Sequence, residues 1–228
     1  MKNLIIDLKK SVLFKNKSSK EIENLINSIS YKIINLQKNE TILHTFSLTN
    51  SIGLVLSGEL TVEKILPSGK LIVLFHKFTG EIFGEVAVFS NAKEYPCNVI
   101  AKTECKVILF NKEDLFKLIT LDNEVLNNFL YLISNKAYYL NTKVESLSFS
   151  SVRQKIAYSL IHDFDVCNNN FCVNLPFSKK IWSDNLSISR ASLYRELDSL
   201  CNDSIIAIVN SNLIKILDFN RLNSLLLE

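Results

Sequence analysis

All five glycines of this 228-residue chain fall between positions 53 and 84, and the rest of the sequence has none. Glycine suits backbone positions with positive φ or very close chain approach, so this cluster predicts a compact set of tight turns. Short runs rich in Val, Ile, Leu and Phe lie between them (IGLVL, LTVEKIL, KLIVLF, IFGEVAVF), bounded by SG, PSG and TG. The pattern predicts a small antiparallel β roll or barrel from about Tyr31 to Phe110. The turns belong to Gly53, Gly58, Gly69, Gly80 and Gly84.

Composition and charge narrow the class of protein. A hydrophobic content of 47% supports packed cores, and the apolar runs fall short of the roughly 18 residues that a membrane span needs. The opening segment MKNLIIDLKK places charges too close together for a signal peptide, so we expect a cytoplasmic protein. From Ser151 to the end, eight Lys and Arg balance eight Asp and Glu, so any nucleic-acid footprint is local.

The cysteines and histidines favour neither a metal nor a cofactor. The cysteines are odd in number and form no CxxC pair, so ordinary buried thiols are expected rather than a disulfide framework or a zinc site. The three histidines are widely separated. No Ser/His/Asp arrangement and no phosphate loop supports catalysis, so the sequence predicts a non-enzyme. These residues are Cys97, Cys105, Cys167, Cys172, Cys201, His44, His76 and His162.

Helical spacing surrounds the predicted roll on both sides. Short helices are expected within residues 1–30, one of them capped by Ser18 or Ser19, and Asn111 is expected to open a helix directly after the roll. A hydroxyl-rich break from Ser146 to Ser151 predicts a hinge. The predicted domains are therefore residues 1–110 for the helices and roll, 111–148 for a long helix, and 149–228 for a third part.

The long helix carries an apolar stripe with a period of 3.5 residues, which is the pattern of a coiled-coil seam. The stripe could pack on the chain's own roll, or it could pair with the same helix of a second subunit. Polar residues occupy much of the remaining surface, and a narrow stripe favours a dimer. The predicted dimer seam consists of Leu126, Leu130, Ile133, Ala137, Leu140, Val144 and Leu147.

A helix-turn-helix is predicted from Ser178 onward. Ser178 can cap a short helix that buries Trp182 and Leu186, residues 187–189 can form the turn, and Ser189 can cap a second helix. The inner face of that second helix is apolar, while arginines and hydroxyls occupy its outer face near the N-terminus, as in helices that enter the major groove. The predicted DNA-binding residues are Ser178, Lys179, Ser189, Arg190, Ser192, Tyr194 and Arg195.

The segments around this helix pair complete the pattern of a winged helix. The run VRQKIAYSLIHDF predicts a preceding helix, followed by a polar turn at Asn168–Asn170 and a short strand in FCVNLPF. After the helix pair, SIIAIVNSNLIKILD predicts two strands around residues 210–212, which is typical of a β wing that contacts phosphates. The whole chain therefore reads as an α+β protein.

The order of these parts resembles the Crp/Fnr family of bacterial transcription factors, named for the cyclic-AMP receptor protein and the fumarate-nitrate regulator. The most specific pieces are GEIFGE at residues 80–85 and LSISRASLYR at residues 186–195. The resemblance implies a roll that binds a small effector, a homodimer that reads an inverted repeat in double-stranded DNA, and a protein that recruits or blocks RNA polymerase.

The resemblance also places an effector pocket and shows where this chain departs from the members that bind cyclic AMP. Gly84 and Glu85 match the pair that contacts the sugar. The Arg-Ser pair that binds the phosphate is replaced by Tyr95-Pro96, and the Thr-Ser pair that contacts adenine by Leu140-Asn141. A phosphate without its arginine loses a charge-assisted hydrogen bond of roughly 1.5–3 kcal/mol. We therefore expect an effector other than cyclic AMP, or none, in a pocket of Gly84, Glu85, Tyr95, Pro96, Cys97, Leu140 and Asn141.

Other departures refine the expectation. The iron–sulfur branch of the family needs an N-terminal cysteine cluster, but the first cysteine here is Cys97. Ala191 stands where many members have a glutamate that reads cytosine, so the half-site is expected to differ there. Ser187 replaces the usual turn glycine, at little cost if its φ is negative. Two alternatives stay open: a thiol or redox switch at Cys97, and a cyclic-nucleotide-binding regulatory subunit of an enzyme.

Overall fold

The computed structural model describes residues 1–69, 71–164, 166–167 and 171–227, without the side chains of Leu147, Val166 and Cys167. The turn predicted at Asn168–Asn170 therefore lies outside the described residues. The chain divides into two compact units, Met1–Asn135 and Lys136–Glu228, each of which is described by itself below.

The first unit is a β roll preceded and followed by helices. Its helices are α1 (Lys2–Leu8), α2 (Ser19–Asn27), α3 (Glu85–Phe89), α4 (Lys112–Leu121) and the first part of α5 (Asn123–Ser148), with a 3-10 turn at Val12–Phe14. Its strands are β1 (Lys32–Leu36), β2 (Thr41–Leu43), β3 (Ile52–Ser57), β4 (Leu60–Ile65), β5 (Leu71–Lys77), β6 (Ile82–Phe83), β7 (Asn98–Ala101) and β8 (Cys105–Phe110).

The eight strands form two antiparallel sheets, in the orders β1-β8-β3-β6 and β2-β7-β4-β5. Leu54 of β3 faces Ile108 of β8 in register, and both side chains are fully buried. The predicted α+β class and the predicted roll between Tyr31 and Phe110 are confirmed.

The glycines have both of the roles that the sequence suggested. Gly58, Gly69, Gly80 and Gly84 adopt positive φ. Gly53 does not, but a Cβ atom there would lie 2.0 Å from the ring of Phe83, so the close approach of strands β3 and β6 requires a residue without a side chain.

The second unit contains the rest of α5 and a winged helix. Its further helices are α6 (Val152–His162), α7 (Lys179–Asn185), α8 (Arg190–Asn202) and α9 (Phe219–Ser224), followed by a 3-10 turn at Leu225–Leu227. Strands β9 (Val166–Cys167), β10 (Cys172–Asn174), β11 (Ile206–Ile208) and β12 (Leu213–Ile216) form an antiparallel sheet in the order β11-β12-β10-β9.

The break before the winged helix is shorter than the sequence suggested. Helix α5 continues through Ser148, and Ser151 caps α6 by accepting a hydrogen bond from the backbone N–H of Gln154 at 3.0 Å. Only residues 149–151 are outside helices, so Ser146 belongs to α5, where it is buried. The predicted domain limits and the hinge remain predictions.

Helix α5 carries two apolar stripes, so the expectation of one narrow stripe was wrong. Val125 and Phe129 are buried in the core of the first unit, and the predicted seam residues Leu126 and Ile133 pack partly against the same core. The rest of the seam whose side chains are described is exposed: Leu130, Ala137, Leu140 and Val144. No helix in the described ranges is long and apolar enough to cross a membrane.

Ion pairs of Lys17 join the N-terminal segment to the start of α5. Lys17 Nζ lies 2.7 Å from Asp122 and 3.3 Å from Glu124, and Asp122 also accepts the backbone N–H of Val125 at 3.1 Å. Burial alone would raise the pKa of Asp122, but the hydrogen bond from Lys17 and those from the α5 backbone outweigh it and hold that pKa below its ordinary value. The hydrogen bond to Asp122 correspondingly raises the pKa of Lys17.

We predict that Lys17→Met lowers the free energy of unfolding of the first unit by about 1 kcal/mol at neutral pH, because Asp122 loses its cation. Because the pKa of Asp122 is lower in the folded state than in the unfolded state, its ionised form stabilises the protein above the unfolded pKa. This stabilisation is lost as the pH falls through the folded pKa. The difference between wild type and variant, measured by urea unfolding from pH 7 to pH 3, is therefore expected to shrink below about pH 4.

The control is Lys15→Met, which removes an exposed charge from the same segment and is expected to leave the stability unchanged. A Lys17→Met difference that persisted undiminished at pH 3 would contradict the role given to Asp122.

Candidate nucleic-acid interface and effector site

The two predicted helix caps of the helix-turn-helix are present. Ser178 Oγ accepts the backbone N–H of Ile181 at 3.4 Å, and Ser189 Oγ accepts that of Ser192 at 3.0 Å. Satisfying these otherwise unpaired donors fixes where α7 and α8 begin. The facing sides are apolar and buried, as predicted: Trp182, Leu186, Leu193, Leu197 and Leu200.

The outer face of α8 presents two arginines near its N-terminus. Both Arg190 and Arg195 are exposed. The Arg190 guanidinium lies 5.6 Å from the ring centroid of Tyr194, and Arg195 donates a hydrogen bond to Ser192 Oγ at 3.3 Å. Stacking and hydrogen bonding limit the conformations of these long side chains, which lowers the entropy lost when they bind a partner. The structure thus brings together five of the seven predicted DNA-binding residues on one helix end.

Lys179 is placed differently from the other predicted DNA-binding residues. It is the first residue of α7 and is buried, and its Nζ donates to the carbonyl of Ser211 in the turn between β11 and β12, at 2.6 Å. This hairpin is the wing that the sequence predicted around residues 210–212, since Ala207 of β11 pairs with Lys215 of β12. The neighbouring Lys180 is exposed.

The turn between α7 and α8 contains a strained residue. The sequence-based expectation held that Ser187 costs little if its φ is negative, but its φ is +55°. This left-handed conformation costs a residue with a Cβ atom roughly 1–2 kcal/mol. The tight turn requires the conformation because the backbone N–H of Ile188 returns to the carbonyl of Ser183 at 3.1 Å.

Two of the predicted effector residues of the first unit, Gly84 and Tyr95, meet at the backbone of Ser51. Gly84 has a φ of +84°, and a Cβ atom there would lie 2.9 Å from the Ser51 carbonyl oxygen. The Tyr95 hydroxyl donates to that same oxygen and accepts the Ser51 N–H at 2.8 Å. Glu85 and Cys97 are buried, whereas Pro96 is exposed. Sequence reasoning missed Ser51, because it contributes only its backbone.

The phenol of Tyr95 is fully engaged by the backbone of Ser51. It has one proton, which it donates, and it also accepts an N–H. Burial raises the pKa of this phenol above its ordinary value, although the backbone hydrogen bonds act in the opposite direction. A tyrosine phenol is neutral at physiological pH even without such a shift. It therefore carries neither a charge nor a further proton to offer an anion.

Leu140 and Asn141, the remaining predicted effector residues, are exposed on α5 in the second unit. That unit has a cavity of about 220 Å³ lined by residues of α5, α6 and α7, including Trp182, and by residues between α6 and α7, including Phe164. Burial raises the pKa of Tyr139 to about 12 and lowers that of Lys143. The sequence gave no signal for this cavity, because its residues come from separate helices without a shared spacing.

Comparisons with known proteins agree with this architecture. A sequence profile of the cyclic nucleotide-binding domain matches residues 33–122. The chain is 23% identical over 122 residues to the cAMP-activated global transcriptional regulator CRP of Haemophilus influenzae, an alignment that covers 54% of each protein. It therefore aligns with about half the length of this curated relative.

Solved structures share the fold over most of the chain. The catabolite activator protein of Thermus thermophilus superimposes with a TM-score of 0.54 and 18% identity over 95% of this chain and 99% of that one. FixK2 from Bradyrhizobium japonicum gives a TM-score of 0.59 and 18% identity over 86% of this chain and 98% of that one. The chain therefore contains a cyclic nucleotide-binding domain and shares its overall fold with these solved structures. The profile covers the roll, α4 and the Asp122 cap of α5, and the winged helix follows.

We predict that Ser187→Gly raises the free energy of unfolding by about 0.5–1 kcal/mol, because glycine adopts positive φ without the steric cost of a side chain. Thermal unfolding of the purified protein measures the change. Ser187→Ala is the control, since it keeps a Cβ atom and is expected to give no gain. A gain of equal size in both variants would mean that the hydroxyl, not the backbone conformation, is responsible.

Proposed function

We propose that this protein is a homodimeric, sequence-specific DNA-binding transcription regulator that acts in the cytoplasm and has no catalytic activity. The observation that carries the proposal is the capped end of α8, where Arg190 and Arg195 are exposed and conformationally restrained above an apolar inner face. Arginine binds guanine through two parallel hydrogen bonds in the major groove, which is the commonest specific contact to a base. The similarity to the cAMP-activated global transcriptional regulator CRP of Haemophilus influenzae supports the same function.

The exposed stripe of α5 supports the homodimer. Leu130, Leu140 and Val144 are 52%, 41% and 68% exposed within one chain, and coiled-coil spacing lets two copies of the stripe cover each other. A two-fold dimer presents two α8 helices in opposite directions, so the matching DNA site is an inverted repeat. RNA polymerase is the proposed further partner, because activation or repression acts on its access to the promoter.

The proposed effector is not cyclic AMP. At the position of the phosphate-binding arginine, Tyr95 uses its hydroxyl on the backbone of Ser51, and Pro96 has no N–H to donate. A buried phosphate would thus lack the charge-assisted hydrogen bonds that it needs there. The protein either responds to another small molecule or binds DNA without an effector.

The two alternative functions have less support. The thiol of Cys97 is buried, whereas redox-sensing thiols are accessible to oxidants. A regulatory subunit of an enzyme has no evident use for a winged helix in the same chain. Both alternatives are distinguished from the proposal by the DNA experiment below, since neither requires α8 to bind DNA.

We predict that Leu130→Asp with Leu140→Asp converts the dimer into a monomer, because charges at the seam would be buried without partners. Sedimentation velocity measures the mass. The control places the same charges one residue further along, at Tyr131 and Asn141, about 100° around the helix; it is expected to stay dimeric. A dimeric Leu130/Leu140 variant would show that α5 is not the interface.

We predict that Arg195→Ala weakens binding to the preferred inverted repeat by roughly 1–3 kcal/mol and relaxes the preference at one base pair. If Arg195 instead holds a phosphate, binding weakens evenly across sequences and the slope of log affinity against log salt falls by about one. Band shifts with point-substituted sites at two salt concentrations separate these cases.

The control for this experiment is Arg221→Ala. Arg221 contacts the carbonyl of Asp203 at the opposite end of α8, so its loss is expected to leave sequence preference unchanged. Unaltered binding in both Arg190→Ala and Arg195→Ala would rule out α8 as the DNA-reading helix.

We predict that cyclic AMP gives no heat of binding in titration calorimetry at micromolar protein concentrations, because the phosphate has no cation to replace the missing arginine. The cyclic-AMP receptor protein of Haemophilus influenzae serves as the positive control. A micromolar or tighter dissociation constant for this chain would contradict the assignment of Tyr95.

A further inference from the structure

Three hydrogen bonds connect the turn of the wing with the segment before α7 and with the first residue of α7. The backbone N–H of Leu175 donates to the carbonyl of Asn212 at 2.7 Å, and Asn212 Nδ2 donates back to the carbonyl of Leu175 at 3.4 Å. Lys179 Nζ adds the third, to the carbonyl of Ser211 at 2.6 Å. The tip of the wing is therefore held from inside the second unit, although its residues 209–212 are exposed.

Lys179 is an unusual residue at its position. It is the first residue of α7, where the positive end of the helix dipole disfavours a cation, and it is only 9% exposed. A buried ammonium group is costly unless it is paired or hydrogen-bonded, and the short bond to Ser211 is of the strong, charge-assisted kind. Lys180, the next residue, is exposed, in contrast to the buried Lys179.

Helix α7 connects the hydrogen bond between Lys179 and Ser211 to α8, the proposed DNA-reading helix. Trp182 and Leu186 of α7 are buried with Leu193 and Leu197 of α8 in one core. Trp182 is also anchored, since its Nε1 donates to Ser159 Oγ at 2.9 Å. The wing turn, Lys179, α7 and α8 thus form a continuous chain of contacts within the second unit.

We propose that Lys179 is a positioning residue that holds the wing at a fixed distance from α8, rather than a residue that contacts DNA itself. The proposal rests on the proposed DNA-binding function. As a consequence, the wing contacts the DNA phosphates only when it is held at the correct position relative to α8. The loss of Lys179 therefore weakens DNA binding without removing a contact to the DNA. A phosphate contact by Lys179 would require its ammonium group to leave the Ser211 carbonyl.

The first measurement needs no DNA. Amide hydrogen exchange of Asn212 and Leu213 is compared in the wild type, Lys179→Met and Lys180→Met. We expect roughly tenfold faster exchange in Lys179→Met alone, because the turn opens more often once the bond to Ser211 is lost. Emission of Trp182, the one tryptophan in the sequence, reports whether the packing of α7 is preserved. If Lys179→Met loses that emission, Lys179→Ala, which also lacks a donor, takes its place with the same expectation.

The second measurement is DNA affinity as a function of salt. We expect Lys179→Met to bind the inverted repeat about tenfold more weakly with an unchanged salt slope, because no phosphate contact is removed. Lys179→Arg, which keeps a donor and the charge, is expected to restore both the slow exchange and the affinity. A merely structural lysine would alter stability without this combination of unchanged Trp182 emission, weaker binding and rescue.

The outcomes separate the two proposals. Unchanged exchange together with a salt slope reduced by about one would show that Lys179 is a phosphate contact and would overturn the inference. If the wild type binds no DNA, the proposed function fails, and the exchange comparison still decides whether Lys179 holds the wing.

Discussion

The apolar surface of α5 is the constraint on which the remaining features depend. One stripe, represented by Val125 and Phe129, completes the core of the first unit. The second stripe leaves Leu130 and Val144 exposed, and a helix with an uncovered heptad stripe is stabilised by a second copy of itself. In the proposed dimer, two-fold pairing fixes the symmetry of whatever the winged helices bind. The proposed inverted repeat therefore depends on the exposed stripe of α5.

The contacts around Ser51 show how this chain uses the side chain of Tyr95. A tyrosine can fill the volume of an arginine, but its single proton is directed to a carbonyl here, and the ring is buried. The two hydrogen bonds to Ser51 connect the loop before β3 with the segment before β7. The side chain of Tyr95 thus supports the local backbone.

Much of the fold followed from local sequence patterns. The glycine cluster predicted the roll because tight turns have strict backbone requirements, and the serine caps at 178 and 189 predicted helix starts because orphan N–H groups need acceptors. The stripe of α5 that packs on the core of the first unit was missed, although Val125, Phe129 and Leu132 also repeat at intervals of four and three. Two stripes with the same period overlap in sequence, and only the packed structure separates them.

The candidate site was less predictable because its decisive contacts are long-range. The sequence left the cost of Ser187 dependent on the sign of its φ, and only the path of the turn shows that this φ is positive. Lys179 looked like a DNA contact from its place in the motif, yet its ammonium group meets a carbonyl 32 positions away. Residue type and spacing indicate which groups can bind DNA, whereas the tertiary fold decides which of them are already engaged.

Selection of binding sites from random double-stranded DNA tests the central claim most directly. The account predicts an inverted repeat whose two half-sites are centred roughly one helical turn apart, about 10 base pairs. Inserting five base pairs between them is then expected to abolish tight binding, because the half-sites would face opposite sides of the duplex. Enrichment of a single half-site, of a direct repeat, or of no sequence at all would contradict the account.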